Sequence, residues 1–277
     1  MSDAFALLLW PLLACIAIAG IHAYLGFHVV ERGVIFVDLA LAQVAALGAT
    51  IGFLLGYDLH DPMAGWLSMG AVVLGAALIS VLKAEKRRIP QEAFIGIVYA
   101  VAAATAILIV DRTAEGAEHI KFMFVGNLLA ASPGDVARLA ALYLGIGVLH
   151  FVWRRPFFAI SHGRTEGMSK TAIRLWDFLF YLTFGLVVTQ SVAVAGVLLV
   201  FSYLIVPSVI GMLVADSAPT RLAVGWITGV AVSVAGMLAS YHLDFPTGAT
   251  VVATFGLALL LALAYRGVVR RATPAEA

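Results

Sequence analysis

Nine runs of apolar residues, each close to the length that crosses a bilayer, constrain this chain more than any other feature. They fall at about 5–26, 34–56, 64–82, 94–110, 136–153, 176–192, 195–214, 222–240 and 247–265. A helix rises about 1.5 Å per residue, so roughly 20 apolar residues span a hydrocarbon core of about 30 Å. Lipid offers no partner to backbone N–H and C=O groups, and spanning elements are therefore helices or a closed barrel. The runs are rich in Ala, Leu, Val and Gly and lack the in–out alternation of barrel strands, which predicts helices. Of 277 residues, 62% are hydrophobic and 12% charged, too little polar surface for a water-soluble domain. The expected fold is all-α: a polytopic membrane protein with about eight or nine transmembrane helices, forming a single transmembrane domain over residues 1–277. Only Gln190 and Ser191 divide the runs at 176–192 and 195–214. Eight spans plus a broken or half-length helix is the variant reading.

The remaining composition excludes several classes. A net charge of +1 gives no reason to expect a nucleic-acid partner, and the single cysteine, Cys15, permits neither an internal disulfide nor a cysteine-based metal site. The first residues lack a basic stretch and a small-residue cleavage site, which predicts a retained helix. No G-x-x-x-x-G-K-[ST] loop occurs, so the chain has no P-loop cradle for ATP phosphates.

Lys and Arg set the expected orientation, because short cytoplasmic loops carry the positive excess. Fourteen of the seventeen basic residues fall on one side: Arg32, the four between Lys83 and Arg88, Arg154, Arg155, Arg164, Lys170, Arg174, Arg221, Arg266, Arg270 and Arg271. Arg112, Lys121 and Arg138 fall on the other. The expectation is an external N-terminus, a cytoplasmic C-terminus and an odd number of spans. The opposite side carries two acidic loops, 57–62 and 111–119, neither long enough for a soluble domain.

Ionisable groups within a span are costly and tend to face a bundle interior or cavity. Asp38 is expected about six residues, or roughly 9 Å, inside the second helix, where a carboxylate suits a hard or borderline cation and the amide of Gln43 can add an oxygen. Asp38 is thus either a pathway ligand or the structural partner of Arg32 or of another helix end. The two side chains lie about 140° apart on an ideal helix and share a face only if it is locally overwound. His22 and His28, in or at the end of the first span, are read as hydrogen-bonded structure or as ligands. In the external loops, His60 with Asp58 and Asp61, and His119 with Glu115 and Glu118, are sound divalent-metal ligands or ordinary solvated residues. Pro207, within 202–208, removes a backbone donor and is expected to break or kink its helix, as a segment bent toward a cytoplasmic partner requires.

Four blocks carry a family likeness: Phe27 to Gln43; Gly126 to Asp135; Ala195 to Val200 and on through Pro207; and Tyr241 to Gly248. On these, from about residue 26 to 266, the chain resembles the metal-type permeases of bacterial ABC importers, which serve zinc, manganese or iron uptake. The last two blocks are the most specific, since their order and spacing from the C-terminus also match. The resemblance implies a fold like the cobalamin and siderophore importer permeases and a multi-pass protein of the bacterial inner membrane. It implies a second permease copy as a homodimer, two ATPase subunits that use the ATP, and an external metal-binding protein. The cargo is a divalent metal, with no cofactor bound by this chain and no catalysis of its own. Pro207, Ser208, Gly211 and Asp216 then belong to the segment that couples to the ATPase. One departure stands out: the family's opening motif has His four residues after Asp, and this chain has Ala42 there. Either Gln43 replaces that ligand or the ligand is missing.

Two other readings compete. A permease for a metal chelate prefers a wide, sparsely charged pathway. A self-sufficient secondary transporter or membrane enzyme requires several buried acids or histidines, whereas Asp38 stands nearly alone in the apolar runs.

Overall fold

The computed structural model describes residues 2–57, 61–83, 89–111 and 126–272. Among the described residues the chain is helical without strands: α1 (Ser2–Arg32), α2 (Val37–Leu54), α3 (Pro62–Lys83), α4 (Gln91–Val110), a 3-10 turn (Leu128–Ala130), α5 (Pro133–Val152), α6 (Arg154–Ser161), α7 (Lys170–Ala195), α8 (Val197–Val214), α9 (Ala218–Leu243) and α10 (Thr247–Ala272). Nine of these are long and apolar enough to cross a membrane, as the nine runs predict; α6 is the exception.

Helix starts follow local chemistry. Asp61 begins α3, its Oδ1 accepting the N–H of Met63 at 2.8 Å. Ser132 and Asp135 cap α5 reciprocally: the Ser132 N–H donates to Asp135 Oδ2 at 3.0 Å and the Asp135 N–H to Ser132 Oγ at 3.2 Å. Ser169 Oγ accepts the N–H of Ala172 to open α7, and Ser217 Oγ that of Thr220 to open α9.

Two boundaries differ from the sequence expectation. α7 runs straight through Gln190 and Ser191 to Ala195. Ser191 Oγ donates to the Val187 carbonyl at 2.6 Å and meets the Tyr143 hydroxyl at 2.5 Å, so its polarity is satisfied without leaving the helix. The break falls at Gly196, whose φ of 78° is open to glycine at little cost. The second difference concerns Asp38. α1 ends at Arg32, a short turn follows, and α2 starts only at Val37, which puts Asp38 in the first turn of α2 and not six residues inside it.

The chain divides into two compact units. One comprises Met1–Val30, Asn127–Ala140 and Leu198–Ala277. Here α1 meets α8 at backbone distance: a Cβ on Gly26 would lie 1.9 Å from the Leu204 carbonyl oxygen. Tyr203 on α8 is buried, its hydroxyl 2.5 Å from Ser233 Oγ on α9 and its ring edge-on to Phe255 of α10 at 4.9 Å. Small residues that admit close backbone approach, with a buried side-chain hydrogen bond, are the usual cement of helices in lipid.

The other unit comprises Glu31–Gly126 and Ala141–Val197. α2 packs against α3, α4 and α7, and a Cβ on Gly48 would lie 2.6 Å from the Leu67 carbonyl oxygen of α3. Gln91, at the start of α4, donates to the Tyr181 hydroxyl on α7 at 3.1 Å and to the Ile79 carbonyl on α3 at 3.3 Å. These contacts bring the first turns of α2 and α4 beside the polar part of α7.

Candidate functional site

The unit that carries α2 also holds the most polar interior. Arg32 extends from the end of α1 into it. Its Nη1 donates to Asp177 Oδ1 on α7 at 2.6 Å and its Nε to Ser161 Oγ on α6 at 2.9 Å. The guanidinium carbon lies 3.8 Å from the centroid of the Phe180 ring. Both charged side chains are 1% exposed. A charge in so apolar a place is tolerable only when paired and hydrogen-bonded. Next to it, His150 stacks on Phe157 with ring centroids 4.1 Å apart and meets Thr183 Oγ1 at 2.8 Å.

Of the two structural partners expected for Asp38, Arg32 is paired with Asp177 instead, while the start of a helix is where Asp38 stands, in the first turn of α2. Asp38 is 2% exposed, and its Oδ1 is buried without a hydrogen-bond partner. Gln43 is 3% exposed and buries Nε2 without an acceptor. Both side chains thus retain hydrogen-bonding capacity that the protein leaves unused, which is uncommon for buried polar groups.

A third such group was not singled out from the sequence. Glu92, in the first turn of α4, accepts the N–H of Phe36 on Oε1 at 2.9 Å, while its Oε2 is buried without a partner. Phe36 is the residue on which α2 begins, so Glu92 holds the chain two residues before Asp38. Asp177 corrects the expectation that Asp38 stands nearly alone: two buried carboxylates and one guanidinium share the interior of this unit, with the half-buried Glu92 at its edge. Among the described residues no three His, Cys, Asp or Glu side chains converge as a metal-holding group.

The other expected residues distribute as follows. His22 and His28 are fully buried in α1; His22 Nδ1 lies 3.0 Å from the Ile18 carbonyl and His28 packs edge-on to Tyr24 at 4.7 Å. Asp61 caps α3, whereas Asp58, His60, Glu115, Glu118 and His119 lie outside the described residues. Pro207 does not end its helix: α8 continues through it to Val214. Ser208 is buried, donating to the Leu204 carbonyl at 2.9 Å, and Gly211 packs against α9, where a Cβ would lie 2.4 Å from the Arg221 carbonyl oxygen. Asp216 alone of the four is exposed, in the α8–α9 turn that Arg221 Nε braces through the Ala215 carbonyl at 3.0 Å.

Among the described residues, nine helices long and apolar enough to cross a membrane define a polytopic membrane protein. Comparison with known proteins makes this specific. Residues 4–266 match the family model described as the ABC 3 transport family, and the chain belongs to that family. The chelated iron transport system membrane protein YfeD of Yersinia pestis is 25% identical over 262 residues, covering 92% of this chain and 84% of that protein. The manganese transport system membrane protein MntC of Halalkalibacterium halodurans is 22% identical over 244 residues, covering 87% and 81%. Among solved structures, PsaBC from Streptococcus pneumoniae in complex with Fab superposes with a TM-score of 0.75 at 21% identity, covering 94% of this chain and 93% of that one, which establishes a shared fold.

Proposed function

We propose that this chain is the permease subunit of an ABC importer for divalent metal ions and forms the translocation pathway, with ATP hydrolysed on a separate subunit. The observation that carries the reading is Asp38: a carboxylate 2% exposed, with an oxygen left free, in a chain whose family match runs over residues 4–266. A carboxylate of this kind is suited to a hard or borderline cation. The relatives named for manganese and iron transport support a divalent metal as cargo. Gln43, buried in the same helix, is the second pathway residue.

The expected assembly is two permease copies, two ATPase subunits and an external metal-binding protein, in a bacterial inner membrane with the N-terminus outside. The ATPase contact is assigned to the exposed α8–α9 turn around Asp216, with Pro207, Ser208 and Gly211 as the packed frame that presents it. His60, Asp61 and His119, on the opposite side of the membrane, are the candidate contacts for the external protein or incoming metal. The name of the Yersinia relative favours a second reading, in which the cargo is chelated iron; a buried carboxylate with one oxygen unpartnered favours the bare ion.

The test is co-purification with the candidate ATPase, reconstitution in vesicles, and measurement of ATP-dependent accumulation of Mn2+, Fe2+ and Zn2+. Uptake that needs both ATP and the ATPase supports the assignment. Uptake driven by an ion gradient without ATP would replace it with a secondary carrier.

A further inference from the structure

The turn that delivers Asp38 is held by other helices at both of its ends. Residues 33–36 join the last residue of α1 to the first of α2, and the chain reverses there through Gly33, whose φ is 66°. At the α1 end Arg32 is fastened to two other helices. Its Nη1 donates to Asp177 Oδ1 of α7 at 2.6 Å, and its Nε to Ser161 Oγ, on the last residue of α6, at 2.9 Å. The Phe180 ring, with its centroid 3.8 Å from the guanidinium carbon, covers one face of the fork. At the α2 end the Phe36 N–H donates to Glu92 Oε1 of α4 at 2.9 Å. Between these anchors Val34 is fully buried, and its carbonyl accepts the Val37 N–H at 3.2 Å. Asp38 is the next residue.

Burial alone does not call for an ion pair here. Both partners are 1% exposed, and apolar side chains of similar volume often stabilise such an interior as well or better. Direction is what apolar side chains cannot supply. An arginine fork donates from several nitrogens at fixed angles, so it sets the orientation of the backbone that carries it as well as its burial. We propose that Arg32 is a positioning residue of the pathway: through Asp177 and Ser161 it fixes the α1–α2 turn and, with it, the place of the Asp38 carboxylate. This role rests on the pathway reading of Asp38 and adds to it a residue that does not touch the cargo.

The test measures Mn2+ binding to the intact permease–ATPase complex by loss of the free-ion electron paramagnetic signal, beside the unfolding midpoint of each variant. Arg32→Met with Asp177→Leu removes one charge of each sign and refills the space, so net charge is unchanged and stability is expected to recover. A purely structural pair would then leave Mn2+ affinity at the wild-type value. The positioning role instead predicts, in that stable double variant, an affinity lower by about tenfold or more, as when the residues that orient a metal ligand are removed. Wild-type affinity there overturns the proposal. Should the double variant fail to assemble, Arg32→Lys decides. Lysine keeps the charge beside Asp177 but lacks the fixed fork that reaches Ser161 at the same time; weaker binding by the assembled complex supports the role, and unchanged binding removes it. Asp38→Asn is measured alongside. If it lowers affinity while the Arg32 variants do not, only the role of Arg32 fails. If it binds Mn2+ as the wild type does, the pathway reading fails and the role of Arg32 falls with it.

Discussion

Arg32 and Asp177 face each other across 2.6 Å with both side chains 1% exposed, 145 residues apart in sequence. The bond ties the end of α1 to α7, and Ser161 and Phe180 complete the enclosure of the guanidinium. It also releases Asp38 from the role of structural counter-ion.

Truncating one partner of a buried pair leaves the other charge uncompensated, at a cost of about 3–5 kcal/mol. Arg32→Ala and Asp177→Ala are each expected to lower the thermal unfolding midpoint of the purified protein sharply. The double replacement Arg32→Met with Asp177→Leu should recover most of the loss, because it removes both charges and refills the space. Single variants that unfold at the wild-type temperature would show that the pair contributes nothing to stability.

The division of the span region and the helical class were legible in the sequence because hydrophobic run length responds directly to bilayer thickness. The break at Gly196 was not, since polar residues within a span signal an interruption only when they lack partners, and Ser191 has Val187 and Tyr143. Asp38 was legible as an acid in an apolar run. Its true partnership was not, because the competitor for Arg32 lies on a helix far along the chain and nothing local to Asp177 marks it. Glu92 lies before the apolar run at 94–110 and carries no local signal of its own; the packing of α4 on α2 buries its second oxygen. Local chemistry at Pro207 predicts a break or a kink; the break does not occur, and with Ser208 and Gly211 packed against their neighbours α8 stays helical to Val214.

For orientation, the fourteen-to-three division of basic residues leads to a cytoplasmic C-terminus and an external loop at 112–118. Reporter fusions after Ala277 and within that loop should score on opposite sides of the membrane. Scores on the same side would require the odd number of spans between them, five, to become even, and the assignment would fall.

On coupling, Gly211 and Asp216 should separate. A side chain at Gly211 meets the Arg221 backbone within 2.4 Å, so Gly211→Glu is expected to destabilise the permease itself, by at least the roughly 1–3 kcal/mol of ordinary overpacking. Asp216→Arg alters only an exposed position and should leave expression and unfolding unchanged while weakening ATPase association. If Asp216→Arg binds the ATPase normally with fully coupled transport, the contact lies elsewhere, with the basic loop from Arg164 to Arg174 as the next candidate.

The most direct test of the central claim is ATP-driven uptake of radiolabelled Mn2+ by vesicles carrying the permease–ATPase complex, wild type beside Asp38→Asn. The asparagine has nearly the same shape and keeps one carbonyl oxygen, so it removes little but the charge. If Asp38 lines the pathway, uptake should fall by about tenfold or more, in line with the dependence of cation affinity on ligand charge, with membrane insertion and subunit assembly intact. Wild-type uptake by a correctly assembled Asp38→Asn complex would contradict the account.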